Sequence, residues 1–275
     1  MSRISRQDSK FYDYDVNPEG VASGQLELLE EIHTKLGTTD ENVYAAWIQS
    51  RNPLANIVRT LEKQTFPEIE DVMRDYEEES TFLALVDTRQ QANRIAHAFR
   101  ISGASSSSDG SVVANSVSND NSTGIVLIDD IINSGQDFRI NDFRDYYSSR
   151  GFDLSKCISV ETNWIVGEKS EKFNGLPLPQ LGYLALFRLI EARGLNEGDA
   201  VLFAHANRVA TISLAMSGVE YEPIAGREDL KTPTVKPDGT LSFDDHYKPV
   251  AIPASSQNLE VFKQLSTFAA PQIFI

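Results

Sequence analysis

The stretch from residue 158 to residue 224 limits this chain more than any other part of it, because it reads strand, loop, helix, strand, helix, strand. Residues 158–166 (Ile-Ser-Val-Glu-Thr-Asn-Trp-Ile-Val) have strand character. Residues 182–193 carry Leu184, Phe187, Leu189 and Ile190 at helical spacing, and Gly194 is a natural helix stop. Residues 200–204 form a short apolar run, the signature of a buried strand, and lead into a helix over 208–217 that Gly218 ends. A further strand is expected at 219–224. Elements alternating in this way fold as helices packed on a central sheet.

The rest of the chain fits around that segment. Residues 1–24 read as a mobile arm. Leu26, Leu28, Leu29 and Ile32 place a helix over 25–36. A cap at Thr39 or Asp40 would start a second helix through Val43, Trp47 and Ile48 to about Arg51. A third is expected over 54–63, and Pro67 can open a fourth over 68–78. Residues 80–88 and 92–102 read as a β-hairpin, with His97 as a strand histidine satisfied by a neighbour. Ser, Asn, Asp and Gly dominate 104–123, which reads as a flexible surface loop. Asp129 and Asp130 suit a solvated turn, 142–149 a short helix, 247–252 a strand and 259–265 a final helix. The expected class is α/β (α+β): one domain over 25–275, with a central mixed, twisted sheet, flanking helices and a helical N-terminal part.

Charge and motif content narrow the function. Lys and Arg number 25 and Asp and Glu 40, a net charge of −15, which argues against nucleic acid or an anionic membrane surface as a partner. No apolar run reaches the roughly 18–20 residues of a membrane span. The N-terminus lacks the apolar core of a signal peptide, so the cytoplasm is the expected compartment. The one cysteine, Cys157, allows neither an intrachain disulfide nor a cysteine zinc cluster. Asp244, Asp245 and His246 are adjacent and would diverge in an extended chain, so no metal is expected. Phosphate-binding P-loop, dinucleotide, zinc-protease and serine-esterase motifs are missing.

Two groups stand out chemically. Glu161 lies within the central strand, where partial burial would raise its pKa toward that of a general base; pairing with an arginine is the plainer alternative. His205 sits at the C-terminal end of the strand at 200–204, where α/β folds gather ligands, and is a second base candidate. Asn207 is placed to cap the following helix.

The run Phe203-Ala-His-Ala-Asn207, the helix after it and Gly218-Val-Glu-Tyr221 resemble the second half of the GNAT acyltransferase fold. Phe66-Pro-Glu68, the run from Tyr76 to Asp87 and Ile128-Asp-Asp130 are similar to GNAT-like proteins near the acyl-homoserine-lactone synthases and N-acyl amino acid synthases. The resemblance spans about residues 40–252 and implies a central strand that splays from its neighbour. A pantetheine arm would hydrogen-bond along Asn163, Trp164, Ile165 and Val166. Gln180, Gly182 and Tyr183 stand nearest the family's pyrophosphate loop, although one residue is missing between Gln180 and Gly182 and there is no arginine. The resemblance adds Asn207 as a donor contact and Tyr221 as an acid for the leaving thiolate. It implies an N-acyltransferase using an acyl-CoA or acyl-carrier-protein thioester and a small-molecule amine such as an amino acid. An acidic carrier protein would need a local basic patch, for which Arg188, Arg193 and Arg208 are candidates. The alternative is a GNAT-fold binding or regulatory module without turnover.

Overall fold

A computed structural model of the chain describes residues 18–37, 42–49, 52–65, 81–89, 95–102, 105–106, 112–113, 123, 125–165, 172–173, 175–192, 198–235, 240–269 and 272–274. Among these residues the frame is an eight-stranded sheet. The strands are β1 (Val43–Ile48), β2 (Thr81–Asp87), β3 (Ile95–Ser102), β4 (Ile158–Ile165), β5 (Val201–Asn207), β6 (Glu222–Pro223), β7 (Tyr247–Pro253) and β8 (Gln272–Phe274). Across the sheet they lie in the order β6-β7-β5-β4-β3-β2-β1-β8. β4 with β5 and β1 with β8 are parallel, and the other neighbours are antiparallel.

Among the described residues the helices are α1 (Pro18–Leu36), α2 (Ala55–Thr65), α3 (Val126–Asn133), α4 (Ile140–Ser149), α5 (Leu178–Ala192), α6 (Arg208–Met216) and α7 (Ser256–Ala269). Strand alternation sorts them onto two faces. Leu83, Leu85, Phe99, Ile158 and Leu202 point to the face covered by α5 and α7, where Phe187 stacks on Phe262 with ring centroids 4.2 Å apart. On the other face, Phe82, Ala84 and Val86 meet α1 and α2, and Val201, Phe203 and Ala251 meet α3 and α4.

The expected hairpin at 80–102 is the pair β2–β3, in register from Thr81 opposite Ile101. The expected helix over 40–51 is instead β1. Val43, Ala45 and Trp47 bury on one face of the sheet, and Tyr44, Ala46 and Ile48 on the other. A strand covered on both sides shows an unbroken apolar run, and periodicity cannot separate that from a buried helix. Here the β-favouring Val, Tyr, Trp and Ile prevail.

Other boundaries move. α1 begins at Pro18, so the last part of the expected arm is helical, while residues 1–17 and the expected helix at 68–78 lie outside the described residues. Within the expected loop at 104–123, Ser105–Ser106 pairs with Val112–Val113. The strand at 219–224 shortens to Glu222–Pro223. Asp129 and Asp130 belong to α3 rather than to a solvated turn. Asp129 is buried and accepts hydrogen bonds from the Thr123 backbone N–H at 2.7 Å and hydroxyl at 2.8 Å.

One buried polar contact ties α2 to the sheet. The Arg100 guanidinium on β3 forks onto both carboxylate oxygens of Glu62, with Nε to Oε1 at 3.0 Å, and lies over the Phe82 ring. Both side chains are almost fully enclosed.

Candidate functional site

The sheet opens between β4 and β5. Ile158, Ser159 and Val160 pair with Leu202, Phe203 and Ala204, and among the described residues the pairing stops there. Beyond that row the strands part. β4 stays on β3 as far as Ile165 opposite His97, and β5 stays on β7 as far as Asn207 opposite Tyr247. The edges at 161–165 and 205–207 therefore face each other across a wedge without ladder bonds, and extended backbone left this way can pair with an extended ligand. This is the splay that the GNAT resemblance implies.

A β-bulge sits at the apex of the wedge. Thr162 pairs with Arg100 and Val160 with Ile101, leaving Glu161 as the extra residue. Such a bulge bends the strand and re-aims the groups beside it. The Ser102 hydroxyl, at the end of β3, donates to Glu161 Oε1 at 2.6 Å. Ser102 Oγ in turn accepts from the Val126 N–H, at the start of α3, at 3.3 Å. The residue keeps some exposed surface while its carboxyl is enclosed, and burial raises the carboxyl pKa. Hydrogen bonding from Ser102, with smaller help from Ser159, Arg100 and the Leu127 N–H, pulls the other way without cancelling the rise.

His205 follows the last paired row of β5, on the same sheet face as Phe203 and near α3. Its Nδ1 lies 3.0 Å from Thr232 Oγ1, and the Thr232 hydroxyl also lies 3.1 Å from the Tyr247 carbonyl oxygen. Thr232 belongs to the ribbon formed by Thr232–Val235 and Leu241–Asp244. Burial pushes the His205 pKa down to about 4, against a smaller opposing pull from Asp244. The ring is therefore neutral at pH 7. Because its folded pKa lies below the usual value of about 6.5, its share of stability is present above that value. It should be lost as pH falls toward 4, which acid titration of thermal melts in wild type and His205→Asn would register as a narrowing difference.

The structure brings Glu161 and His205 to the wedge together with the backbone of Asn163, Trp164 and Ile165; Val166 lies outside the described residues. Asn207 caps α6, its Oδ1 accepting from the Ala210 N–H at 2.9 Å at the open end of β5. Tyr221 is not part of this group. It precedes β6, is 39% exposed, and lines an open hollow of about 490 Å³ with Arg150, Phe152 and Ser255. That hollow sits at the closed end of the sheet, where Pro253 pairs with Val201.

Gln180, Gly182 and Tyr183 lie inside α5 rather than in a loop before it. Gly182 is small for a packing reason: a Cβ there would lie 2.0 Å from His97 Nδ1 and 2.9 Å from Phe99. The helix opening does stand beside the wedge, since His97 and Phe99 pair with Ile165 and Asn163. Gly182→Ala is expected to destabilise by about 1–3 kcal/mol through overpacking, a clear drop in melting temperature. An unchanged melt would show that the α5–β3 contact is looser than described.

Ser102, Thr232 and Arg100 are the site residues that sequence reading missed. Ser102 ends a legible strand, but its partner lies 59 positions away. Nothing in the local pattern marks Thr232. Arg188 on α5 is half-buried, Arg208 is exposed at the start of α6, and Arg193 lies outside the described residues.

No protein-family model and no curated protein matches the chain. Among solved structures, it is similar to the CoA-dependent acyl-homoserine lactone synthase BjaI with SAM and isopentyl-CoA. That match has 10% identity and a TM-score of 0.42, covering 85% of this chain and 94% of the other. The CoA-dependent acyl-homoserine lactone synthase MesI matches with 9% identity and a TM-score of 0.40, covering 83% of this chain and 98% of the other. TofI in an apo form matches with 10% identity and a TM-score of 0.40, covering 81% and 96%. No helix among the described residues is long and apolar enough to cross a membrane.

Proposed function

We propose that this protein is an N-acyltransferase that moves an acyl group from an acyl-CoA or acyl-carrier-protein thioester to the amine of a small molecule such as an amino acid. The observation that carries this reading is the parting of β4 from β5 just beyond Val160 and Ala204. A pantetheine arm is extended and holds two amides, so it can lie along 161–165 as a substitute strand. Its thioester would then reach the bulge at Glu161.

The reaction needs a neutral amine and a stabilised oxyanion. The amine nitrogen attacks the thioester carbonyl, forming the C–N bond, and the C–S bond breaks. One proton leaves the amine for the base, and the thiolate departs to be protonated as free thiol. Glu161 suits the base because burial raises its affinity for a proton. His205, held near pKa 4, is a weak proton acceptor but a good hydrogen-bond acceptor. The reading places the protein in the cytoplasm.

A second reading is favoured by one feature. Gly182 is filled by its neighbours, so 180–185 offers no glycine cradle for the pyrophosphate of CoA. A carrier protein brings pantetheine without that group, and a module that only binds would not need the cradle either. A thiol-release assay with acyl-CoA and acyl-carrier-protein donors, run with and without amino acids, tests these possibilities. Acceptor-dependent thiol release with an amide product is expected. A flat assay alongside a thermal shift with CoA or pantetheine would leave only the binding module. A flat assay without a shift would overturn both.

A further inference from the structure

The Thr232 hydroxyl has a single proton, and two acceptors cannot share it. Thr232 Oγ1 lies 3.1 Å from the Tyr247 carbonyl oxygen, which can only accept. The hydroxyl proton therefore goes to Tyr247, and the contact with His205 Nδ1 at 3.0 Å must be an Nδ1–H donating to the Thr232 oxygen. One backbone carbonyl thus sets the tautomer of a ring on a different strand. Thr232 is itself buried, and the ribbon registers it opposite Asp244, the charged group that acts on the ring. Nε2 makes no hydrogen bond among the described residues, and the residue keeps some exposed surface. Register places His205 one residue past the last β4–β5 pair, on the face that also holds Ser159 and Phe203. Across the opening on that face stands Glu161, with Arg100 behind it.

We propose that Thr232 is a positioning residue: it locks His205 as the neutral Nδ1–H tautomer and so presents the Nε2 lone pair at the wedge as a fixed acceptor for the N–H of the incoming amine. The protonated Nδ1 follows from the hydrogen bonds and the bare Nε2 from the burial that keeps the ring neutral at pH 7, while its use on an amine rests on the acyl-transfer reading. The geometry then assigns a substrate preference. An amine that keeps an N–H to donate to Nε2 while another proton passes to Glu161 is favoured, so primary amines are favoured over secondary ones.

The test uses full-length protein labelled with ¹⁵N-histidine. The four histidines are His33, His97, His205 and His246, and a His205→Asn variant assigns the resonance. At pH 7, His205 should show a protonated Nδ1 and a bare Nε2. Thr232→Val keeps the side-chain shape but removes the acceptor, and should shift His205 toward the Nε2–H form. Thr232→Ser should restore the wild-type pattern. In turnover, Thr232→Val should raise KM for the amine about tenfold, leave KM for the thioester unchanged, and be rescued by serine. A wild-type His205 found as Nε2–H, or as the imidazolium at pH 7, would overturn the proposal even if neither Thr232 variant folds. An unchanged tautomer in Thr232→Val would also overturn it. A tautomer that shifts as expected in a protein that never releases thiol would keep the positioning role and remove the acyl-transfer reading.

Discussion

Glu161→Gln is expected to lose acyl transfer by about 10²–10⁴-fold while leaving the protein as stable as wild type or more so. The two effects come from the same carboxyl. Burial raises its folded-state pKa, so the folded protein holds that proton more tightly than the unfolded chain does. The stability tied to this group is full below the unfolded pKa and is lost as pH rises through the raised value. Once ionised, the carboxylate works against folding, and glutamine removes the charge while keeping the shape. Ser102 can still donate to the amide oxygen, as it does to Glu161 Oε1 at 2.6 Å. Thermal melts beside turnover assays distinguish a base from a structural carboxylate. A melt several degrees lower with turnover intact would make Glu161 structural and would remove the proposed base. The melting difference between variant and wild type should shrink as pH falls, because both side chains are then neutral.

The largest loss of stability is expected from breaking the buried pair on β3. Glu62→Ala leaves the Arg100 guanidinium enclosed without the carboxylate it forks onto. Removing one partner of a buried pair typically costs about 3–5 kcal/mol. For a chain of this size that corresponds to roughly 10 °C in melting temperature. Replacing both partners with apolar residues, as in Glu62→Leu with Arg100→Met, should recover most of the loss, because no buried charge remains. If Glu62→Ala melts within a degree of wild type, the pair is solvated and the described burial is wrong. Arg100 also lowers the proton affinity of Glu161, so the double variant should shift the acid limb of the rate profile toward higher pH.

Local signals carried part of this picture and long-range ones carried the rest. The β2–β3 hairpin, the strand at 158–165 and the Asn207 cap were legible because each depends on neighbours along the chain. β1 was misread because Val43–Ile48 buries both faces, which erases the alternation that marks a strand. β8 pairs with β1 from more than two hundred residues away and carries no signal of its own. The splay followed from the resemblance, but the bulge depends on how β4 registers with β3. Gly182 shows the limit most sharply. Its spacing resembles a phosphate loop, yet His97 and Phe99 explain the glycine by filling the space where a side chain would be. Tyr221 lies near the candidate residues in sequence but at the other end of the sheet in space.

The central claim is that the unpaired edge of β4 receives the pantetheine arm. Amide hydrogen exchange over residues 161–165, with and without saturating pantetheine or acyl-CoA, tests this most directly. The edge lacks ladder partners toward β5, so its outward amides should exchange quickly in the free protein. Binding should slow them, while β2 and β7 exchange at the same rate as before. Exchange at 161–165 that stays unchanged in the presence of a bound donor would contradict the account.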